Sequence, residues 1–186
     1  MLSERFILTV VGKDHPGIVA GITDVLFRYK CNIQELNQTV LSDEFAMILL
    51  LHPTEEINIE ELNKSLKDRC ETLGVNHSLR PATKSGDIDK KTIKEKVIIT
   101  VIGSDKIGII AGVTKVLADM DINIIDLSAE PSVINDVPQY SVVARVEVDE
   151  YTDMIELKKA LDECAKSLSV EIEVQSQDIF RAMHRI

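Results

Sequence analysis

Two glycine-rich turns, each carrying one carboxylate, are the stretches whose residue types and spacing could do chemistry. The pattern G-x-D-x-x-G occurs as Gly12, Asp14 and Gly17, and again as Gly103, Asp105 and Gly108. In both places a short β-branched run precedes the turn and apolar residues at helical spacing follow it, so each turn opens a helix. A helix start presents unsatisfied backbone N–H groups and the positive end of the dipole, and can receive a carboxylate or phosphate. Glycines let a ligand approach the backbone closely. On the plainer alternative, Asp14 and Asp105 cap the helices and the glycines make tight turns. Both readings stand on the residues alone.

The elements that position these turns occur twice. FILTVVGKDHPGIVAGITDVLFRYKCNIQEL (6–36) returns without a gap as VIITVIGSDKIGIIAGVTKVLADMDINIIDL (97–127), with about half of the positions identical. Such a period means two copies of one unit. Ile18, Val19, Ile22, Val25, Leu26 and Tyr29 predict the first helix, and Ile109, Ile110, Val113, Val116 and Leu117 its counterpart from Ile107 to Met120.

After the first helix, 32–41 and 44–52 read as strands around a Ser42-Asp43 hairpin turn, and Pro53 ends the second. Ile59, Leu62, Leu66, Cys70 and Leu73 predict a helix from about Ile57, closed by Gly74, before a final strand at 75–80. The order is βαββαβ, a ferredoxin-like α+β unit: an antiparallel sheet with both helices on one face. In the second copy, PSVINDVP (131–138) reads as a longer loop kept out of the sheet by its prolines. Strand 139–148 follows, then a helix through Met154, Ile155, Leu157, Leu161, Cys164 and Leu168, and a last strand at 170–174. The expected layout is a first domain at 1–82, a linker at 83–94, a second domain at 95–176 and a C-terminal helical tail at 177–186, begun by Asp178.

Composition narrows the function. A net charge of −10 on 186 residues, with scattered basic residues, opposes direct binding to nucleic acid or to an anionic membrane. Cys31, Cys70 and Cys164 are odd in number and far apart, which suits reduced thiols in a cytoplasmic protein; Cys31 aligns with Ile122 and reads as a buried small hydrophobe. No C-x-x-C occurs, the four histidines show no metal-ligand spacing, and no apolar run approaches a membrane span. No metal, no cofactor and a soluble protein are expected. Small sheets with helices on one face leave edges and a second face to cover, so at least a homodimer is expected. The alternating Val142, Ala144, Val146 and Val148 are the kind of face that would need a partner.

At GKDHPGIVAGIT and GSDKIGIIAGVT, followed by NIQEL and NIIDL, the sequence resembles the ACT domain family twice over. The tandem arrangement without an attached enzyme or DNA-binding domain looks like the glycine cleavage system transcriptional repressor group, while the ending DIFRAMHRI looks like that of small stand-alone ACT proteins. The resemblance implies amino-acid sensing, because ACT domains commonly pair edge to edge and bind a small amino acid at the seam. The matching positions are Gly12, Asp14, His15, Gly17 and Asn32, with Gly103, Asp105, Gly108 and Asn123 in the second copy. Loop N–H groups would hold the carboxylate, while an Asn carboxamide and an acidic side chain address the ammonium. Asn32 and Asn123 equally suit plain strand starts. Ile107 stands where the first copy has Pro16.

Other functions on the same element order are less well served. An acylphosphatase-like enzyme needs an arginine in the first loop, which offers Lys13 and His15, or Lys106, and no catalytic set is discernible. RNA recognition needs exposed aromatics on central strands, for which only Phe6 and Phe45, and Tyr140, are available. A non-sensing interaction module remains as the other alternative. The expectation is therefore a non-catalytic regulator of transcription that senses glycine or serine and acts through a protein partner.

Overall fold

A computed structural model describes residues 4–82, 95–134 and 136–177. The chain divides into two compact units, Met1–Gly86 and Asp87–Ile186. The expected linker, 83–94, lies outside the described residues, as does the expected tail helix apart from Gln177.

The first unit runs β1 (Phe6–Lys13), α1 (Ile18–Arg28), β2 (Cys31–Leu41), β3 (Glu44–Pro53), α2 (Ile59–Leu73) and β4 (Val75–Pro81). The second runs β5 (Glu95–Gly103), α3 (Ile109–Asp119), β6 (Asn123–Ile134), β7 (Val137–Val148), α4 (Met154–Leu168) and β8 (Glu171–Ser176). The sheets are ordered β2-β3-β1-β4 and β6-β7-β5-β8, antiparallel at every pairing. Both units are ferredoxin-like.

Strand periodicity builds each core. Phe6, Leu8 and Val10 alternate with Ile7, Thr9 and Val11, and only the first set meets the helices, joining Phe45, Met47, Leu49 and Leu51 of β3. From the helices, Ile18, Ile22, Val25 and Leu26 of α1 and Leu62, Leu66 and Cys70 of α2 complete it. Each such aliphatic side chain contributes about 1.5–3 kcal/mol when fully buried. The second core repeats the scheme with Val97, Ile99 and Val101, and with Val142, Ala144, Val146 and Val148. That last row belongs to the domain's own core and needs no partner copy, contrary to the expectation above. Phe6 and Phe45 are likewise core residues, so neither is displayed for base stacking.

Several local expectations change. The helical face of α4 is set by Leu157 and Leu161, which leaves Ile155 84% exposed in the first turn; Ile110 is similarly off the Ile109–Val113–Leu117 stripe. PSVINDVP is not a loop outside the sheet. Strands β6 and β7 continue through it, pairing Pro131 with Tyr140, Val133 with Pro138 and Ile134 with Val137, and Asp136 before β7 is left-handed at φ 62°. The prolines fit because β6 is an edge strand and β7, beyond Tyr140, has lost its β5 neighbour. The first hairpin turns as expected at Ser42 and Asp43, both left-handed at φ 48° and 68°. Gly74 closes α2, and Ser169 takes the same left-handed place after α4.

Candidate functional site

The two glycine-rich turns share one backbone solution. Gly17 and Gly108 are the residues before α1 and α3, with φ 102° and 103°, and neither helix receives a side-chain cap. The aspartates are therefore not caps. The other two helices show what a cap looks like here: Asn58 accepts from the N–H groups of Glu60 and Glu61, and Asp153 from those of Ile155 and Glu156. Thus in each domain the second helix start is closed by its own side chain and the first is left bare. A left-handed glycine is what makes the bare start possible, since φ near 100° is strained for any residue with a Cβ.

The remaining loop residues have distinct surroundings. A Cβ on Gly12 would come 2.9 Å from Val75 Cγ1 and 3.0 Å from its Cα, and one on Gly103 would come 2.6 Å from Val170 Cγ1. These two glycines are required by close strand packing. Asp14 is exposed, and its N–H donates to the Asp43 carbonyl at 2.7 Å, which ties the loop to the β2–β3 turn. Asp105 is exposed as well. His15 faces two carbonyls, Nε2 with Leu73 O at 2.7 Å and Nδ1 with Pro16 O at 3.0 Å. Carbonyls only accept, so the ring satisfies both as imidazolium. The Leu73 carbonyl, then that of Pro16, raises the His15 pKa above its ordinary value, with Asp14 adding to the effect and desolvation opposing it. His15 thereby fastens the first loop to the negative end of α2. Nothing local announces that contact, whose partner lies 58 residues away.

Asn32 and Asn123 lie elsewhere. Gly12 pairs with Phe45 and Asn32 with His52, seven residues apart on β3, or about 23 Å at strand rise. Gly103 and Asn123 are separated in the same way along β7, opposite Tyr140 and Glu147. Within one domain each loop and its asparagine stand at opposite ends of the sheet. Just after each asparagine the register slips, between Ile33 and Glu35 and between Ile124 and Asp126, so both copies carry a bulge on the edge strand.

Among the described residues no group of three or more His, Cys, Asp and Glu converges as metal ligands do, and no helix is long and apolar enough to cross a membrane. Cys31 and Cys70 are buried and Cys164 half-buried, all three as free thiols. Burial raises the pKa of each.

Comparison with known proteins gives a consistent picture. The ACT domain model matches residues 4–79 and 95–175. A UPF0237 protein of Methanopyrus kandleri is 44% identical over 72 residues, 38% of this chain and 80% of the relative. One from Methanosarcina acetivorans is 40% identical over 91 residues, 49% of this chain and 96% of the relative. Among solved structures, an unknown protein from Galdieria sulphuraria superposes with TM-score 0.78 at 24% identity, over 94% of this chain and 98% of that one. A protein described as a proposed glycine cleavage system transcriptional repressor does so with TM-score 0.68 at 21% identity, over 95% and 98%. At those identities the two structures speak to the fold.

Proposed function

The chain belongs to the ACT domain family and carries the domain twice, and from that premise we propose that it is a regulatory protein that senses a small amino acid. The observation that carries this reading is the pair of bare helix starts at Gly17 and Gly108, repeated with the same φ while both other helices are capped. Uncapped N–H groups at the positive end of a helix favour a carboxylate. A compact zwitterion suits such a seat, and glycine or serine is the preferred ligand.

The site is completed by a second copy of the chain. Strand β2 has a neighbour on one side only within its sheet, and exposes Leu36 and Val40. Two such edges paired antiparallel across a two-fold axis would carry the partner's Asn32 toward the loop end of the first sheet, supplying the carboxamide that one domain keeps at its far end. Output of the glycine cleavage repressor kind would then pass through a protein partner, since a net charge of −10 opposes contact with DNA. The free cysteines fit a reducing cytoplasm.

A thermal-shift screen of the twenty amino acids tests the reading. A ligand that binds only the folded state adds about 2.7 kcal/mol at a hundredfold excess over its dissociation constant. Glycine has five heavy atoms, so binding between about micromolar and millimolar is expected. A flat screen would leave the alternative of a non-sensing interaction module.

A further inference from the structure

The two domains are not equivalent at the loop end of the sheet. In the first, β1 continues one residue beyond Gly12, and Lys13 pairs with Glu44. In the second, pairing of β5 with β7 stops at Gly103 and Tyr140, and Ser104 bends away. Gln139, which occupies the place of Glu44, is left facing no β5 residue. A cleft of about 320 Å³ opens there, lined by Gly103, Ser104, Gln139, Ser169, Val170 and Glu171.

A buried oxygen of the lining residue Gln139, Oε1, has no hydrogen-bond partner among the described residues, and neither does Ser132 Oγ. Ser132 and Gln139 are paired across the β6–β7 hairpin. A buried acceptor is costly to leave unmatched, so an occupant that brings donors is favoured. The charge at the rim has one sign: Glu171 contributes a carboxylate, and the lining holds no cation. The volume sits at the lower end of ligand-sized pockets.

We propose that this cleft of the second domain seats the ammonium group of a small amine, with Gln139 Oε1 and the Glu171 carboxylate accepting its N–H bonds. Charge-assisted bonds of this kind are the stronger ones, and Ser104 and Ser169 can accept the remaining donor. The seat takes in Gly103 and Ser104 at the beginning of the second glycine turn but not the helix start at Gly108, and it asks for no carboxylate on the ligand. In the first domain the β1–β3 ladder continues through this place, with Lys13 paired to Glu44.

Amide and side-chain NMR of the full chain, titrated with ethanolamine and separately with acetate, tests this. Ethanolamine should move the resonances of Gly103, Ser104, Val170 and the Gln139 side-chain amide, and leave Gly12 and Val75 still. Gln139→Leu and Glu171→Gln should each weaken the response about tenfold or more. Glu171 is exposed, so that variant reports even if the Gln139 variant fails to fold. The proposal is overturned if acetate moves Val170 and the Gln139 side-chain amide, if both domains respond alike, if Glu171→Gln changes nothing, or if about 100 mM ethanolamine, a concentration that would reveal even very weak binding, leaves the cleft unmoved. Glycine binding at the Gly17 and Gly108 loops is read in the same spectra from Ile18 and Ile109. Its absence beside a responding cleft would sink the sensing reading and leave this one standing.

Discussion

Gly12 and Asn32 sit at opposite ends of one sheet, opposite Phe45 and His52 of the same strand. Two residues proposed for one site are thus held about 23 Å apart by the parallel course of β1 and β2. On the proposed seam, a second edge strand running the other way brings them together.

Glycine binding should therefore depend on protein concentration. Light scattering should give a dimer at micromolar concentration, and Val40→Lys, a charge on the exposed β2 edge, should shift it toward monomer and weaken glycine binding in parallel. A monomeric variant that binds glycine as tightly as the parent would remove the seam from the site.

The four loop glycines should separate into two classes. Gly12→Ala and Gly103→Ala place a Cβ against Val75 and Val170 and should cost about 1–3 kcal/mol. Gly17→Ala meets no atom within 4 Å but pays for φ 102°, about 1–2 kcal/mol. Denaturant titration reads both losses. Calorimetric titration should show glycine binding lost in the Gly17→Ala, Gly108→Ala double variant and kept by folded Gly12→Ala; equal binding by both would make the turns purely structural.

Capping and the loop carboxylate should also come apart. Asp153→Ala removes a cap that accepts two N–H bonds and should lower stability by about 0.5–2 kcal/mol. Asp14→Ala removes none, so its stability, read by denaturant titration, should stay within about 0.5 kcal/mol of the parent. A large loss for Asp14→Ala would mean that the carboxylate has a stabilising role outside the helix start.

Two histidines of the first domain should have pKa values displaced in opposite directions. The Leu73 and Pro16 carbonyls raise His15 above the ordinary 6.5, so its clasp on α2 is complete below that value and is lost as pH rises through the raised one. His77, beside Asn63, is lowered first by desolvation and then by Lys67. Its contribution is full above 6.5 and is lost as pH falls through the lowered value. Ring proton NMR should resolve the two curves, with the Leu73–Gly74 amides following His15 alone. Coincident titrations would break the assignment of the clasp.

Much of the fold is legible in the chain because it rests on local periodicity. Alternation in FILTV and VIITV, the Ile18–Ile22–Val25 stripe, Ser42-Asp43 and Gly74 each state a local geometry that burial then completes. Periodicity failed where it was ambiguous. Ile155 looked like core because any apolar residue near a helix start can be fitted to the stripe, and Pro131 and Pro138 looked like loop because proline is tolerated only where a strand lacks a neighbour. Which strand lacks a neighbour is a property of the sheet.

The sequence by itself determined two βαββαβ units, the helix-opening glycine turns and the candidate ligand residues, since each follows from the order of side chains along a short stretch. Tertiary structure decided what those residues face. Strand pairing put Val75 against Gly12 and Val170 against Gly103, α2 brought its last carbonyl to His15, and the β5–β7 ladder, ending at Gly103 and Tyr140, left a cleft beside Gln139. It also set Asn32 and Asn123 at the far ends of their sheets, because two parallel strands joined by a helix must begin at the same end.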